Sequence, residues 1–311
     1  MGLEYCNPVH DGYFADPFVM RTDDGYVAIG TGRSVDGMVF EVLRSEDLVH
    51  WRSVGGALVP PQGLGTDFWA PEVAHADGRW WMYYSVGTGD AGHHLRVAVA
   101  DDPVGPYRDL GVNLTPDERF AIDPHPFQDR DGAWWLYFAR DVLEGERVGT
   151  MLAVRRLEGM SALTGPTVAV LEASADWQIY QRERPMYGAV YDWHTLEGPF
   201  VREYDGRYYL FYSGGSWLEP TYGVAYAVAE RPEGPWVEPA GSEPLLRTIP
   251  DTVVGPGHNS VVTTPEGLDV MAYHAWDPAQ TRRRLCIDPI VWSDGRPVVL
   301  GPTSDPVSLP R

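Results

Sequence analysis

The sequence predicts an all-β protein built as a five-bladed β-propeller, and three observations favour this fold class. The first is a repeated pattern in which a turn glycine precedes a short aromatic or aliphatic segment. The second is composition: the 311 residues include 34 glycines, 27 prolines, 12 tryptophans and 17 tyrosines, which suits short strands and tight turns. The third is that the repeats fill the chain without a low-complexity linker. They predict one domain over residues 1–311, with four-stranded antiparallel blades around a central channel.

The glycine repeat occurs five times along the chain. Its glycines are Gly25, Gly78, Gly132, Gly206 and Gly267. The intervals between them are 53, 54, 74 and 61 residues. The segment after the fourth glycine, Tyr-Tyr-Leu-Phe-Tyr at 208–212, is typical of a half-buried strand. A Pro-x-Gly-Pro-aromatic turn follows two of the repeats, at 103–107 and 232–236. A repeat of about 60 residues with two such hairpins predicts one propeller blade.

Two structural alternatives compete with this interpretation. A β-sandwich with coincidental hairpins would also place many short strands between turns. Helical periodicity is nearly absent, and only 167–184 is long enough without Gly-Pro punctuation to be ambiguous between helix and strand. The regular glycine spacing favours the propeller.

The charge balance limits the classes of partner. With 44 acidic against 24 basic residues the formal net charge is −20, so the chain repels phosphate backbones and anionic membranes. We therefore expect no nucleic-acid and no membrane partner.

The N-terminus resembles no signal peptide, which predicts a cytoplasmic location. Cys6 and Cys286, a single pair near opposite ends, are expected to be free thiols. The sequence leaves the oligomeric state open.

Polar side chains recur just before the repeated hairpins, where the innermost strands of a propeller would end at its channel. Asp16 precedes Pro17, Asp123 precedes Pro124, and Glu197 precedes Gly198-Pro199. A lone Asp-Pro is a common turn, but three acids in equivalent positions predict a shared site. Glycoside hydrolysis needs one acid to protonate the leaving oxygen and one carboxylate to activate water. A third carboxylate nearby raises the pKa of the acid by like-charge repulsion.

The motifs around these acids resemble those of glycoside hydrolase family 43, over almost the whole chain. They are Asn7-Pro8 with Ala15-Asp16-Pro17, Trp69-Ala70-Pro71-Glu72, Ile122-Asp123-Pro124, Glu197-Gly198-Pro199 and Gly255-Pro256-Gly257-His258-Asn259-Ser260. The resemblance implies a five-bladed propeller that inverts the anomeric centre, as in arabinofuranosidases, xylosidases and arabinanases.

The resemblance also implies roles for the three acids. Asp16 would be the general base that activates water, Asp123 would orient the acid and modulate its pKa, and Glu197 would be the general acid. Inversion leaves room for a water molecule, so the carboxyl groups of Asp16 and Glu197 are expected about 6.5 to 9.5 Å apart.

Four further residues complete the expected site. Trp69 and Phe14 are candidate platforms for a sugar ring, although core packing is the default for any single aromatic residue. Arg284 resembles an arginine that reaches the pocket from the last blade. In a strand Arg282 and Arg284 share one face and Arg283 the other. His258 matches a histidine often found beside a calcium or other cation, with a buried core histidine as the alternative. The chemistry itself requires no cofactor.

These observations predict an inverting, exo-acting α-L-arabinofuranosidase on small arabino-oligosaccharides. A β-xylosidase and an endo-arabinanase of the same family are the close alternatives. From other classes, the alternatives are a non-catalytic carbohydrate-binding propeller and a phosphorolytic enzyme, which would need a basic cluster such as 282–284. Two departures affect the substrate: no β-sandwich is appended after the fifth blade, and the long segment 140–184 could replace part of the wall which that domain provides.

Overall fold

The structure is a computed structural model that describes residues 3–240 and 243–309, and its regular structure is almost wholly β. The one helical element in these ranges is a single 3₁₀ turn, Asp176–Gln178. The segment 167–184, ambiguous in the sequence, therefore forms strands on either side of that turn. The all-β class predicted from composition is confirmed. Over the same ranges no helix is long and apolar enough to cross a membrane.

Most strands fall into five antiparallel groups that follow one another along the chain. The first group contains β2 (Ala15–Thr22), β3 (Gly25–Thr31), β4 (Val39–Ser45) and β5 (Arg52–Val59). The second contains β6 (Asp67–Ala76), β7 (Arg79–Thr88), β8 (Ala91–Ala100) and β9 (Tyr107–Asn113). The third contains β10 (Ala121–Gln128), β11 (Trp134–Val142), β12 (Gly149–Glu158) and β13 (Ala162–Leu171).

The fourth group is built differently, because its first strand is twice the usual length. The group contains the second half of β15 (Ala189–Tyr204), β16 (Arg207–Gly214) and β17 (Gly223–Ala229). The first half of β15 pairs instead with β14 (Ile179–Met186). The fifth group contains β18 (Val254–Thr263), β19 (Asp269–Trp276), β20 (Arg283–Ser293) and β21 (Arg296–Val299).

The apolar core lies between successive groups rather than within one layer. Val42 of the first group packs in one cluster with Tyr84 of the second, and further clusters join the second group to the third, the third to the fourth and the fourth to the fifth. A last cluster joins Ile287 of the fifth group to Leu43 of the first. The apolar clusters therefore connect the groups in a closed series from the first to the fifth and back to the first.

The two ends of the described chain also meet. Strand β1 (Leu3–Tyr5) pairs antiparallel with β22 (Val307–Leu309), and the Tyr5 hydroxyl donates to Asp288 of the fifth group at 2.8 Å. The two cysteines are free thiols, as predicted; Cys286 is buried and Cys6 is exposed. The closure fixes the first group against the last, which matters because the candidate site draws on both.

Candidate active site

The first strand of every group carries the same irregularity at the same place. In each, the pairing with the second strand skips two residues, and the first of the two has a φ of 47–58°. These first residues are Asp16, Ala70, Asp123, Gly198 and His258. A non-glycine residue in this left-handed region costs about 1–3 kcal/mol, and such strain is often stored at functional sites. A proline follows in the first four cases, so X-Pro pairs mark the bulges in the sequence.

Side chains of neighbouring groups accept hydrogen bonds from the backbone N–H groups of these bulges. The backbone N–H of Asp16 donates to His274 Nδ1 at 3.1 Å, and that of His258 donates to the Ser213 hydroxyl at 2.7 Å. The N–H of Gly198 donates to Asp123 Oδ2 at 2.9 Å. Each bond crosses from one group to the next. The bulged residues are therefore fixed relative to one another, although they are far apart in sequence.

A cavity of about 290 Å³ opens at the point where the bulges converge. Residues from the first, second, third, fourth and fifth groups line it, including Asp16, Trp69, Asp123, Glu197, His258 and Arg283. All three carboxylates singled out in the sequence thus face one cavity. Their catalytic roles stay predictions, but their meeting satisfies the geometric condition on which the hypothesis depends.

Asp16 is held as a carboxylate. Burial alone would raise its pKa, but the surrounding charges and hydrogen bonds, of which the Arg283 guanidinium 3.1 Å away contributes most, together outweigh burial, so the pKa of Asp16 lies below its usual range. His258 Nδ1 lies 3.5 Å from the same oxygen. His274 Nδ1 also lies 3.4 Å from this oxygen. Because that nitrogen accepts the backbone N–H of Asp16, it carries no proton, and the contact between His274 and the Asp16 carboxylate is not an ion pair. An ionised, buried carboxylate of this kind can accept a proton from water.

Glu197 and Asp123 are shifted in the opposite direction. Burial, opposed by a hydrogen bond from the Tyr222 hydroxyl and reinforced by Asp16, raises the pKa of Glu197 to about 7. Burial together with the nearby charges of Glu197 and Asp16 raises the pKa of Asp123 well above its usual range. One low and two high carboxyl pKa values in one cavity are the pattern that separates a base from an acid.

His258 belongs to a compact group of potential metal ligands. One ligand atom each from Asp123, Glu197 and His258 lies within 4.8 Å of the others. Burial lowers the pKa of His258, which favours the neutral imidazole that a metal requires. Calcium takes six to eight oxygen ligands, so water would have to supply most of the shell. The three residues form a group of ligand atoms with room for one cation, and the role of His258 stays a prediction.

Of the two predicted aromatic platforms, the structure places only Trp69 at the cavity. Trp69 lines it and stacks on His93, with ring centroids 3.7 Å apart and planes 17° from parallel. Phe14 is fully buried in the apolar cluster between the fifth and first groups, which also contains Leu285. The prediction for Phe14 is wrong, because the side chain points away from the cavity while its neighbour Tyr13 lines it.

The arginine prediction is corrected by one position. Arg283, not Arg284, reaches the cavity and donates to Asp16, whereas Arg284 pairs with the exposed Asp11 at 3.2 Å. Strand alternation puts Arg283 on the same face of β20 as Leu285, which is fully buried. That apolar neighbour is a signal in the sequence that would have identified the inward face. Arg283 also donates to Tyr13 and lies 4.5 Å over the Trp217 ring.

Tyr222 and His274 were not predicted. Tyr222 is buried, donates to Glu197 and stacks on His274 with planes 13° apart. A Cβ atom at Gly257 would lie 2.0 Å from the Tyr222 ring, so this glycine makes room for it. The glycine of Gly255-Pro256-Gly257 was visible in the sequence, but the tyrosine that it accommodates lies in an irregular segment after β16 and carries no motif.

Comparison with known proteins agrees with the geometry. A sequence model of "Glycosyl hydrolases family 43" matches residues 5–297. A β-D-galactofuranosidase of Aspergillus niger is 29% identical over 93% of this chain and 82% of its own length. An extracellular endo-α-(1→5)-L-arabinanase of Bacillus subtilis is 25% identical over 91% of this chain and 86% of its own. The crystal structure of a thermostable family-43 glycoside hydrolase superposes with a TM-score of 0.86 at 33% identity, covering 99% of both chains.

The match to the family spans nearly the whole chain, and the carboxylates that the family's chemistry requires lie together in one cavity. Enzymes of this family hydrolyse glycosidic bonds with inversion at the anomeric carbon and in general need no cofactor. The chain belongs to glycosyl hydrolase family 43 and is a glycoside hydrolase.

Proposed function

We propose that this chain is an inverting, exo-acting α-L-arabinofuranosidase that releases terminal pentose units from arabino-oligosaccharides. The observation that carries the proposal is the meeting of Asp16, Asp123 and Glu197 in one cavity with pKa values driven apart. Names of relatives support a furanose substrate, since one is a galactofuranosidase and another an arabinanase. Exo action is supported by the size of the cavity: about 290 Å³ is at the small end of ligand pockets and suits the end of a short oligosaccharide.

In the proposed reaction the three carboxyl groups have three different roles. Asp16, ionised by Arg283, accepts a proton from a water molecule, whose oxygen forms the new bond to the anomeric carbon. The bond from that carbon to the leaving oxygen breaks, and Glu197 donates its proton to that oxygen. Asp123 does not transfer a proton. It accepts the N–H of Gly198, next to Glu197, and so helps to orient the acid.

We also infer that the five strand groups are the blades of a five-bladed propeller around a central channel. Four groups have four strands, and in the fourth an isolated bridge between Val228 and Val237 stands for the outer strand. The shared bulges and the closed ring of apolar clusters support equivalence of the blades. The proposed catalytic unit includes both ends of the described chain, because β1 pairs with β22.

A calcium or other cation beside His258 is a further part of the proposal. It would be held by His258, Asp123 and water, since a cation on the carboxylate of Glu197 would keep that residue ionised and prevent it from acting as the acid. Activity measured after exhaustive treatment with a chelator, and again after calcium is restored, tests it. Equal rates in both states would remove the cation from the proposal.

The substrate is tested with a panel of pentose disaccharides, followed by NMR of the first-formed anomer. Release of arabinose with inverted configuration from 1,5-linked arabinobiose is expected, and none from xylobiose. Turnover of xylobiose instead would make the chain a β-xylosidase, and shortening of internal bonds in arabinan would make it an endo-arabinanase. No turnover above that of an Asp16→Asn variant on any sugar would favour a non-catalytic binding protein.

A further inference from the structure

An arm formed by β14 and the first half of β15 reaches from the fourth strand group to the mouth of the cavity. Its two strands pair antiparallel from Met186↔Ala189 back to Ile179↔His194. The base of the arm is fixed to the third group, because Gly149 and Thr150 pair in parallel with β15. The arm overlaps the end of segment 140–184 and continues just beyond it. From the sequence, this segment is expected to replace part of the pocket wall that an appended β-sandwich provides in other members of the family.

Arg184 is one of the residues of the arm that line the cavity. Its side chain is only 14% exposed and donates to Asp90, in the turn between β7 and β8, at 3.0 Å. Its guanidinium lies 4.8 Å over the Tyr180 ring and 5.4 Å over the Trp193 ring. Arg184, Asp90 and Tyr180 all line the cavity. The arginine is thus held by two aromatic rings of its own arm and an acid from a distant group.

The arm and the proposed general acid share one strand. Glu197 follows Trp193 by four residues on β15, and Tyr180 and Arg184 of the arm line the same cavity as Glu197. A general acid lies on the side of the departing sugar, since it protonates the oxygen that leaves. The water-activating side, with Asp16 and Arg283, comes from the first and fifth groups. The arm therefore lies on the leaving-group side.

The chemistry of Arg184 fits a neutral, hydroxylated ligand. A guanidinium presents five donors in a fixed plane, and its one recorded hydrogen bond here goes to Asp90. Because Asp90 neutralises it, the pair offers donors and acceptors side by side instead of an uncompensated positive charge that would select a carboxylate. Sugar hydroxyls, which donate and accept, match such a pair.

We propose that Arg184 and Asp90 form the subsite for the departing sugar, and that they make the enzyme select leaving groups with free hydroxyls. The proposal rests on the function proposed above, because it takes Glu197 as the acid. It adds a specificity determinant that the conserved chemistry does not require.

The test compares two substrates that share the arabinofuranosyl unit. One is 1,5-linked arabinobiose, whose leaving sugar carries hydroxyls; the other is 4-nitrophenyl α-L-arabinofuranoside, whose leaving group carries none. Replacing Arg184 by Ala should lower kcat/KM for arabinobiose about ten- to hundredfold more than for the aryl substrate, as expected for hydrogen bonds to a charged group. Arg184→Lys, which keeps the charge without the planar fork, should recover part of the loss.

The matched control is Arg182→Ala. Arg182 is on the same strand of the arm and also forms a 3.0 Å ion pair, with Asp192, but it does not line the cavity. This variant should leave both substrates unaffected. Equal losses on the two substrates for Arg184→Ala, or no loss on arabinobiose, would overturn the subsite. Failure of the unaltered enzyme to hydrolyse either substrate would instead overturn the proposed function.

Discussion

The guanidinium of Arg283 lies 3.1 Å from Oδ1 of Asp16, and both side chains are buried. Burial of a carboxylate without a partner would favour its protonated form. The two residues come from opposite ends of the chain, 267 positions apart. Their contact explains why a buried aspartate can stay ionised, as a base requires.

Replacing Arg283 by Met should move the acidic limb of the pH profile of kcat/KM to higher pH. The arginine is the largest of the influences that hold the pKa of Asp16 below its usual range, so its loss weakens the opposition to burial and the pKa rises. The base then becomes ionised only at higher pH. An opposite charge at this distance is worth about 1–3 pKa units, and a shift of the acidic limb of kcat/KM by that amount is expected. Arg284→Met, which removes only the exposed contact to Asp11, is the control; an unchanged limb in Arg283→Met would contradict the assignment.

The alkaline limb of the pH profile of kcat/KM should reflect the pKa of Glu197. Burial raises the pKa of Glu197 to about 7, and an acid must be protonated to act. The kcat/KM for arabinobiose should therefore fall about tenfold per pH unit above about 7. Aryl arabinofuranosides with good leaving groups should decline less, since they need little protonation. Glu197→Gln should abolish turnover of the disaccharide while sparing the activated aryl substrate comparatively. Equal losses on both would argue against Glu197 as the acid.

Tyr222→Phe should shift the alkaline limb to higher pH. The hydroxyl of Tyr222 donates to Glu197 and so stabilises the ionised form, which lowers the pKa that burial has raised. Removing the hydroxyl leaves the ring and its stacking on His274 in place, and the pKa of Glu197 rises further. The measurement is kcat/KM for arabinobiose across the alkaline range. A downward shift would mean that the tyrosine favours the protonated acid instead.

The sequence was sufficient to predict the acids because their positions are set by local backbone chemistry. Asp16 and Asp123 each precede a proline in a bulge with positive φ, and an X-Pro pair in a strand is visible without coordinates. The all-β fold class was predicted in the same way, from the spacing of glycines and aromatic residues. These features depend on a few adjacent residues, so one sequence reveals them.

The errors concern packing between distant segments. Phe14 was assigned as an aromatic residue near the acids, but whether it faces the cavity depends on how the fifth group closes against the first. Arg284 was assigned by resemblance, although strand alternation with the apolar Leu285 indicated Arg283. Tyr222 and Arg184 act from an irregular loop and from the arm, whose positions are set by contacts with other strand groups. No periodicity encodes such contacts, and only the structure supplies them.

A buried link across three strand groups should be needed to keep the acids in place. His125 Nε2 accepts the N–H of Val201 at 3.0 Å, so the ring proton is on Nδ1 and points to Glu72 Oε2 at 2.6 Å. His125 follows Asp123 by two residues, and Val201 follows Glu197 by four. The link therefore ties the strand of Asp123 to the strand of Glu197.

Glu72→Ala should lower the free energy of unfolding by about 1–3 kcal/mol, the cost of leaving a buried donor without a partner. Glu72→Gln should lose less, because its amide oxygen can still accept from His125. Urea unfolding monitored by tryptophan fluorescence measures both. Glu203→Ala is the control, since the pair of Glu203 with Arg130 is on the surface and is worth about 0–1 kcal/mol. If Glu72→Ala cost no more than this control, the link would not hold the strands together.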